Sequence, residues 1–360
     1  MNQNYYVAIM AGGIGSRFWP VSRTDLPKQF LDILDTGKTL IQWTYERFAG
    51  FIPRENIFVV THHQYADQVR RQLPELPVEN IIREPSRKNT AACVAYISYK
   101  ISTINPQACF ICAPADHLIL DNTAFTKSCM DALHFVENHN ALLTLGITPV
   151  RPDTGYGYIQ FETTAVADQV YKVKTFTEKP NKELALTFLK SGDFLWNAGI
   201  FVWKTKNILT AFRKYLPEMN ELFESEARHL NGPQEQEVIE TIYSQCTNIS
   251  IDYGIMEKAD NVFVIPSNFG WSDLGTWTSA YDNMEKDDQG NAISGKRVVN
   301  IDSTRCMVRM PKDKLAVLQG LDEFIVIDTP DVLLICKKEN EQQIKEYVAE
   351  VKRNKGEKFL

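Results

Sequence analysis

The run from Val7 to Phe30, VAIMAGGIGSRFWPVSRTDLPKQF, constrains this chain more than any other. Val7 to Met10 is apolar without alternation, the pattern of a parallel strand covered on both faces. Gly12, Gly13 and Gly15 follow at once. Glycines after such a strand let the backbone take positive φ and present several N–H groups to an anion at close range. Arg17 adds a planar cationic fork and Lys28 a compact point charge. The combination reads as a phosphate site, and one suited to a polyphosphate. A dinucleotide-binding turn would need a third glycine opening a close-packed helix, where this chain has Arg17, Phe18, Trp19 and Pro20. A P-loop would need Gly-Lys followed by Ser or Thr, which is absent.

The bulk of the chain sets the scale of the fold around this run. With 360 residues, 44% of them hydrophobic, it can bury one large core and a smaller second one. A net charge of -6 argues against a general nucleic-acid binder, so any cationic site is local. No apolar run is long enough to span a bilayer, and MNQNYY does not open a signal peptide, so a cytoplasmic protein is expected. Seven scattered cysteines read as reduced, buried thiols rather than a disulfide framework. Cys109 and Cys112 form a CxxC within an apolar run. On a strand they would face opposite sides and bind nothing together. His62 and His63 follow Thr61, a plausible cap, and read as surface residues of a helix's first turn.

Taken in order, the chain alternates strand and helix. Residues 39–48 have helical spacing, 56–61 read as a second strand, 63–73 as a helix and 80–85 as a third strand. This alternation predicts an α/β fold with an open, mostly parallel sheet and helices on both faces. Polar residues then cluster where such strands end. Glu84-Pro85-Ser86-Arg87-Lys88-Asn89-Thr90 is either a base-reading loop or a charged loop capped by Asn89 or Thr90. A carboxylate such as Glu84 can accept the N1–H and N2–H of guanine. Asp116 closes an apolar strand and must either meet a cation or cap the next helix.

TGYGYI at 154–159 is either a simple hairpin turn or a stretch whose glycines allow close backbone approach and whose tyrosines offer a wall for a sugar ring. Glu178 and Lys179 end another strand. On an extended chain they would point apart, Glu178 to hydroxyls and Lys179 to a phosphate, unless they form a solvated surface pair. Asn197 sits alone in the apolar run FLWNAGIFVW and must find partners. Residues 205–248 read as helical packing, and Asp252 reads as structural ahead of its other reading, a lining residue of a sugar site. Asp273 in WSDLGTW is a second isolated acid, or a helix cap. From residue 286 the text turns to short alternating strands and ends in a charged helix at 341–355.

These phrases, in this order, resemble the sugar nucleotidyltransferases, enzymes that join a sugar 1-phosphate to a nucleoside triphosphate. EPxxxNTA is similar to the corresponding loop of mannose-1-phosphate guanylyltransferases. The resemblance runs from Val7 to about Lys352. It implies a Rossmann-like catalytic domain at 1–285 and a small, β-helix-like domain with a terminal helix at 286–360. No fused phosphomannose isomerase activity is expected. The implied substrates are GTP and mannose 1-phosphate, with Mg2+ as cofactor. Ala11, Gly12, Gly13, Gly15, Glu84, Asn89 and Thr90 would bind the nucleotide. Arg17, Lys28 and Lys179 would act on phosphates in catalysis. Gly155, Glu178 and Asn197 would hold the sugar, and Asp116 and Asp273 the metal. Neither nucleic acid nor membrane is an expected partner, and a dimer through the C-terminal domain has a place in this reading. Two alternatives stand beside it, the same fold acting on another sugar 1-phosphate or nucleotide, or a catalytically silent subunit that binds nucleotide sugar.

Overall fold

A computed structural model describes residues 1–13 and 15–360, and its chain contacts divide into two compact units. The first comprises residues 1–12, 44–115 and 119–271. In chain order its elements are β1 (Tyr5–Ala11), α1 (Leu40–Ala49, shared with the second unit), β2 (Ile57–His62), α2 (Ala66–Gln72), β3 (Ile81–Glu84), α3 (Asn89–Ile104) and β4 (Cys109–Pro114). There follow the short β5 (Leu118–Ile119, shared with the second unit), then α4 (Asn122–Asn138), β6 (Leu142–Ile147), β7 (Gly157–Ala167), β8 (Val170–Glu178), α5 (Lys182–Ser191) and β9 (Phe194–Lys204). Last come α6 (Thr205–Tyr215), α7 (Pro217–Glu226), α8 (Glu235–Gln245), β10 (Val262–Ser267) and the short β11 (Trp271–Ser272, shared with the second unit).

Among the described residues nine strands form one sheet, in the order β3-β2-β1-β4-β9-β6-β10-β8-β7. β1 lies parallel between β2 and β4, and its unalternating composition follows from cover on both sides. Tyr6 and Ala8 face a core with α3, whereas Tyr5 on the other face donates a hydrogen bond to Glu137 of α4. Cys109 and Cys112 are buried, free thiols on β4, as the strand reading requires.

The expectation of an open, mostly parallel sheet needs correction. Four strand pairs are parallel and five antiparallel. The pairs β9–β6, β6–β10, β10–β8, β8–β7 and β7–β9 close a ring of five strands. The β7–β8 hairpin turns at Asp168 and Gln169, with Gln169 at φ 53, and curls back so that Tyr158 pairs with Trp196. Ile159, Leu195 and Val264 fill the ring. A Cβ on Gly146 would stand 2.7 Å from Leu195 and 2.8 Å from Val264, so glycine is what admits this closure. The second correction concerns His62. It ends β2 and is buried, and its side chain accepts a hydrogen bond from the backbone N–H of Gln64, while α2 starts only at Ala66.

The second unit comprises residues 13–43, 116–118 and 272–360, Ile14 lying outside the described residues. Its further elements are α9 (Trp277–Asp282), β12 (Ala292–Ser294), β13 (Val298–Ile301), β14 (Met307–Arg309), β15 (Ala316–Gln319), β16 (Phe324–Asp328), β17 (Leu333–Lys337) and α10 (Ile344–Lys355). β12, β14 and β16 stack in parallel, as do β13 and β15, giving two short ladders around Cys306, Val308 and Leu318. Phe18, Trp19, Leu31 and Ile33 pack into one core with Met307, Ile325, Ile327 and Leu334. No described helix is long and apolar enough to cross a membrane.

Candidate active site

In the second unit, Gly13, Gly15, Arg17, Lys28, Asp116 and Asp273 fall together. Pro27 sets up a tight turn that carries Lys28 inward until it is 4% exposed. Gly15 has φ 64, and a Cβ there would meet the Lys28 Cβ at 2.3 Å, so this position demands glycine twice over. Gln29 donates its side-chain amide to the Gly13 carbonyl at 3.0 Å and ties the glycine turn to the same segment. The Lys28 ammonium donates to Asp116 Oδ2 at 3.0 Å and to the backbone carbonyl of Asp273 at 2.6 Å.

Gly15, Arg17, Lys28, Asp116, His117, Asp273 and Gly275 line one cavity of about 240 Å3. The Arg17 Nε is buried with no hydrogen-bond partner among the described residues. A buried donor of this kind calls for an acceptor. Burial would push the Asp116 carboxyl up, but Lys28 and then His117 hold it below the usual carboxylate range. Neither acid is a helix cap. Asp121 caps α4, and Thr276 caps α9 in a reciprocal box with Ser279, while Asp273 accepts from the N–H of Gly275 at 3.0 Å. No group of three or more metal-ligating side chains forms among the described residues, so a divalent ion held by Asp116 and Asp273 would complete its shell with substrate oxygens and water. Mg2+ beside phosphates usually takes one or two carboxylates, and Asp116 and Asp273, both lining this cavity, are a donor set of that kind.

The first unit holds two further clusters. At the end of β3, Glu84 is 8% exposed and accepts a hydrogen bond from the Tyr243 hydroxyl at 2.8 Å. A Cβ on Gly12, which follows Ala11 at the end of β1, would lie 3.6 Å from Glu84 Oε2. Burial pushes the Glu84 carboxyl up to about 7. Asn89 takes φ 63 and accepts from the Thr90 N–H, while the Thr90 hydroxyl accepts from the backbone N–H of Ile251. Neither therefore serves as a simple cap of α3.

The third cluster gathers Glu178, Lys179 and Asn197. Gly157 pairs with Glu178 in register, and a Cβ there would come within 2.4 Å of Glu178 Oε2 and 3.4 Å of the Asn197 Cβ. The Asn197 amide oxygen accepts from Thr144 and from the N–H of Gly199, and its NH2 donates to Asp252 Oδ1 at 2.9 Å. Burial, and then Glu178, push the Asp252 carboxyl up to about 6. Tyr156, Trp196 and Trp271 pack edge to face alongside. Gly155 lies in the exposed loop before β7, its N–H donated to Asp153. One expectation fails here. Glu178 and Lys179 do not point apart but form an ion pair at 2.6 Å, because Lys179 takes φ 49 and breaks the extended geometry.

One group in these clusters escaped the sequence reading, Tyr243, which lies on a helix taken as packing. Asp252, in a π-helical turn, has the sugar site as its second sequence reading, ranked behind a structural one. The one sequence signal was an acid inside the otherwise uncharged run IDYGIM.

Comparison with known proteins adds an independent line. Residues 6–290 match the nucleotidyl transferase family model, and 296–351 match the MannoseP isomerase/GMP-like beta-helix domain. A mannose-1-phosphate guanylyltransferase of Klebsiella pneumoniae is 33% identical over 98% of this chain and 74% of its own length. The alginate biosynthesis protein AlgA of Pseudomonas putida is 34% identical over 94% of this chain and 70% of its own. A crystal structure from Thermus thermophilus, named mannose-1-phosphate geranyltransferase, superposes with a TM-score of 0.87 at 30% identity, covering 97% of this chain and 99% of that one.

Proposed function

Because the chain belongs to the nucleotidyl transferase family and shares nearly its whole length with mannose-1-phosphate guanylyltransferases, we propose that it joins GTP and mannose 1-phosphate into GDP-mannose, releasing pyrophosphate. The observation that carries the chemistry is Lys28, buried against Asp116 in a cavity that Arg17 lines with an unpartnered Nε. A phosphate oxygen of the sugar phosphate attacks the α-phosphorus of GTP in line. The bond to the β-phosphate breaks and pyrophosphate leaves. Such a transfer asks for alignment and charge neutralisation and for no covalent nucleophile.

Each residue takes a part in this reading. Gly12, Gly13 and Gly15 offer backbone N–H groups to the β- and γ-phosphates, with Ala11 ahead of them and Arg17 as their cation. Lys28 serves the α-phosphate. Glu84 reads guanine, with Asn89 and Thr90 shaping its loop. Glu178, Asn197 and Gly155 orient the sugar, and Lys179 meets its phosphate. Asp116 and Asp273 would hold Mg2+, which when bound neutralises phosphate charge and orients the triphosphate. The transfer chemistry is assigned to residues 1–285, with 286–360 as a β-rich domain. Seven free, buried thiols support a reducing, cytoplasmic setting. Val299 and its register partner Val317 form an exposed apolar face with Ile301 and Leu315, which supports a homodimer through this domain. Light scattering that reads a single chain's mass excludes that dimer.

The direct test is pyrophosphate release with Mg2+ over a grid of nucleoside triphosphates against mannose, glucose, fucose and N-acetylglucosamine 1-phosphates. One strong response, at GTP with mannose 1-phosphate, is expected. Strong release elsewhere changes the substrates, and nucleotide binding without release anywhere points to a silent subunit. A Gly157→Ala substitution is expected to displace the Glu178 carboxylate and to raise KM for the sugar phosphate about 10-fold with KM for GTP unchanged. Equal changes in both constants would remove Glu178 from the sugar site.

A further inference from the structure

We propose that Tyr243 is a positioning residue for base recognition, holding Glu84 as an oriented acceptor from behind. This rests on the reading of Glu84 as the group that meets guanine. Tyr243 is fully buried on α8. Its hydroxyl donates to Glu84 Oε1, while Oε2 lies beside Gly12, on the side where the glycine turn begins. A carboxylate pinned at one oxygen keeps the other in a fixed place, and a fixed acceptor is what selects N1–H and N2–H from a base lacking them.

The surroundings explain why a hydroxyl is needed. Around Glu84 stand Cys93 and Tyr96 of α3, Tyr243 of α8, Arg87 of the following loop, and His62, its register neighbour on β2. Burial raises Cys93, Tyr96 and Tyr243 and lowers His62 to about 4, so near neutral pH all four are uncharged. Arg87 is the one charge among them. Burial favours the protonated Glu84, against which the Tyr243 hydroxyl and Arg87 pull. A protonated Glu84 would offer a donor where guanine also donates. The Tyr243 bond thus extends the pH range in which guanine is accepted.

The experiment measures KM for GTP and for the sugar phosphate from about pH 6 to 9 in wild type, Tyr243→Phe, Glu84→Gln and the double variant. In wild type KM for GTP should fall as pH rises through about 7. Tyr243→Phe should raise it about 10-fold at neutral pH, with recovery at higher pH and no change in KM for the sugar phosphate. Glu84→Gln should flatten the profile, and adding Tyr243→Phe to it should cost nothing more. A Tyr243→Phe profile that keeps the wild-type midpoint, or effects that add in the double variant, overturns the positioning role. If Tyr243→Phe does not fold, the wild-type and Glu84→Gln profiles decide, since a wild-type KM flat across this range overturns the proposal. Wild-type protein that turns over another nucleotide in preference to GTP instead overturns the guanine reading itself.

Discussion

Lys28→Met is expected to lower turnover about 1000-fold, or roughly 4 kcal/mol of transition-state stabilisation, with KM for GTP changed only a few-fold. Methionine keeps nearly the length of the lysine stem and its packing against Phe18, and it removes the charge. The ammonium sits 3.0 Å from Asp116 and 2.6 Å from the Asp273 carbonyl, within the cavity lined by Arg17. A cation fixed there before substrate arrives stabilises charge that builds up only during transfer, so its loss falls on kcat more than on binding. Stability should respond separately. The Asp116 pKa is depressed in the folded chain, so its contribution is present above the unfolded value near 4 and is lost as pH falls through the folded one. The Tm difference between wild type and Lys28→Met should therefore shrink in acid. Unchanged turnover in single-turnover assays would remove Lys28 from the chemistry.

Asp116→Asn and Asp273→Asn form the second large effect. Each is expected to cut pyrophosphate release by about 100- to 1000-fold and to raise the Mg2+ concentration needed for half-maximal rate. If the two acids serve one ion, the double variant should be scarcely worse than the poorer single one, since residues acting as a unit are not additive. Asp116→Asn also removes the anion beside the buried Lys28, so its Tm should fall further than that of Asp273→Asn. A Mg2+ titration that superposes on wild type for either variant would take that acid out of the metal site.

The local features of these sites were legible in the sequence where the physics is local. An apolar run ending in glycines, or in an aspartate, marks a buried strand delivering a polar group to an edge, and β1 and β4 do this. Position 12 and position 84 were readable on the same ground. The ring of five strands was not, because it depends on β7 meeting β9 across a hairpin and on Gly146 leaving room for Leu195 and Val264. Lys179 failed for a different reason. Alternation of side chains holds only while the backbone stays extended, and one residue at φ 49 reverses the geometry of the pair. Tyr243 was invisible in principle, since nothing in a helical stretch of ordinary composition tells which side chain will meet a carboxylate 159 residues away.

The core that joins Phe18, Trp19, Leu31 and Ile33 to Met307, Ile325 and Leu334, with Trp19 also donating to the carbonyl of Phe359, has a consequence for how the protein is made. The segment carrying Arg17 and Lys28 leaves the ribosome long before residues 307–334, on which it packs. At about 5–20 residues per second, tens of seconds of synthesis separate them. Pulse-chase proteolysis of stalled nascent chains should find residues 16–34 cleavable until the C-terminal strands are complete. The segment with Arg17 and Lys28 is thus packed only once residue 334 has been read, so a copy ended before the strands at 307–334 carries the glycine turn without the core beside it.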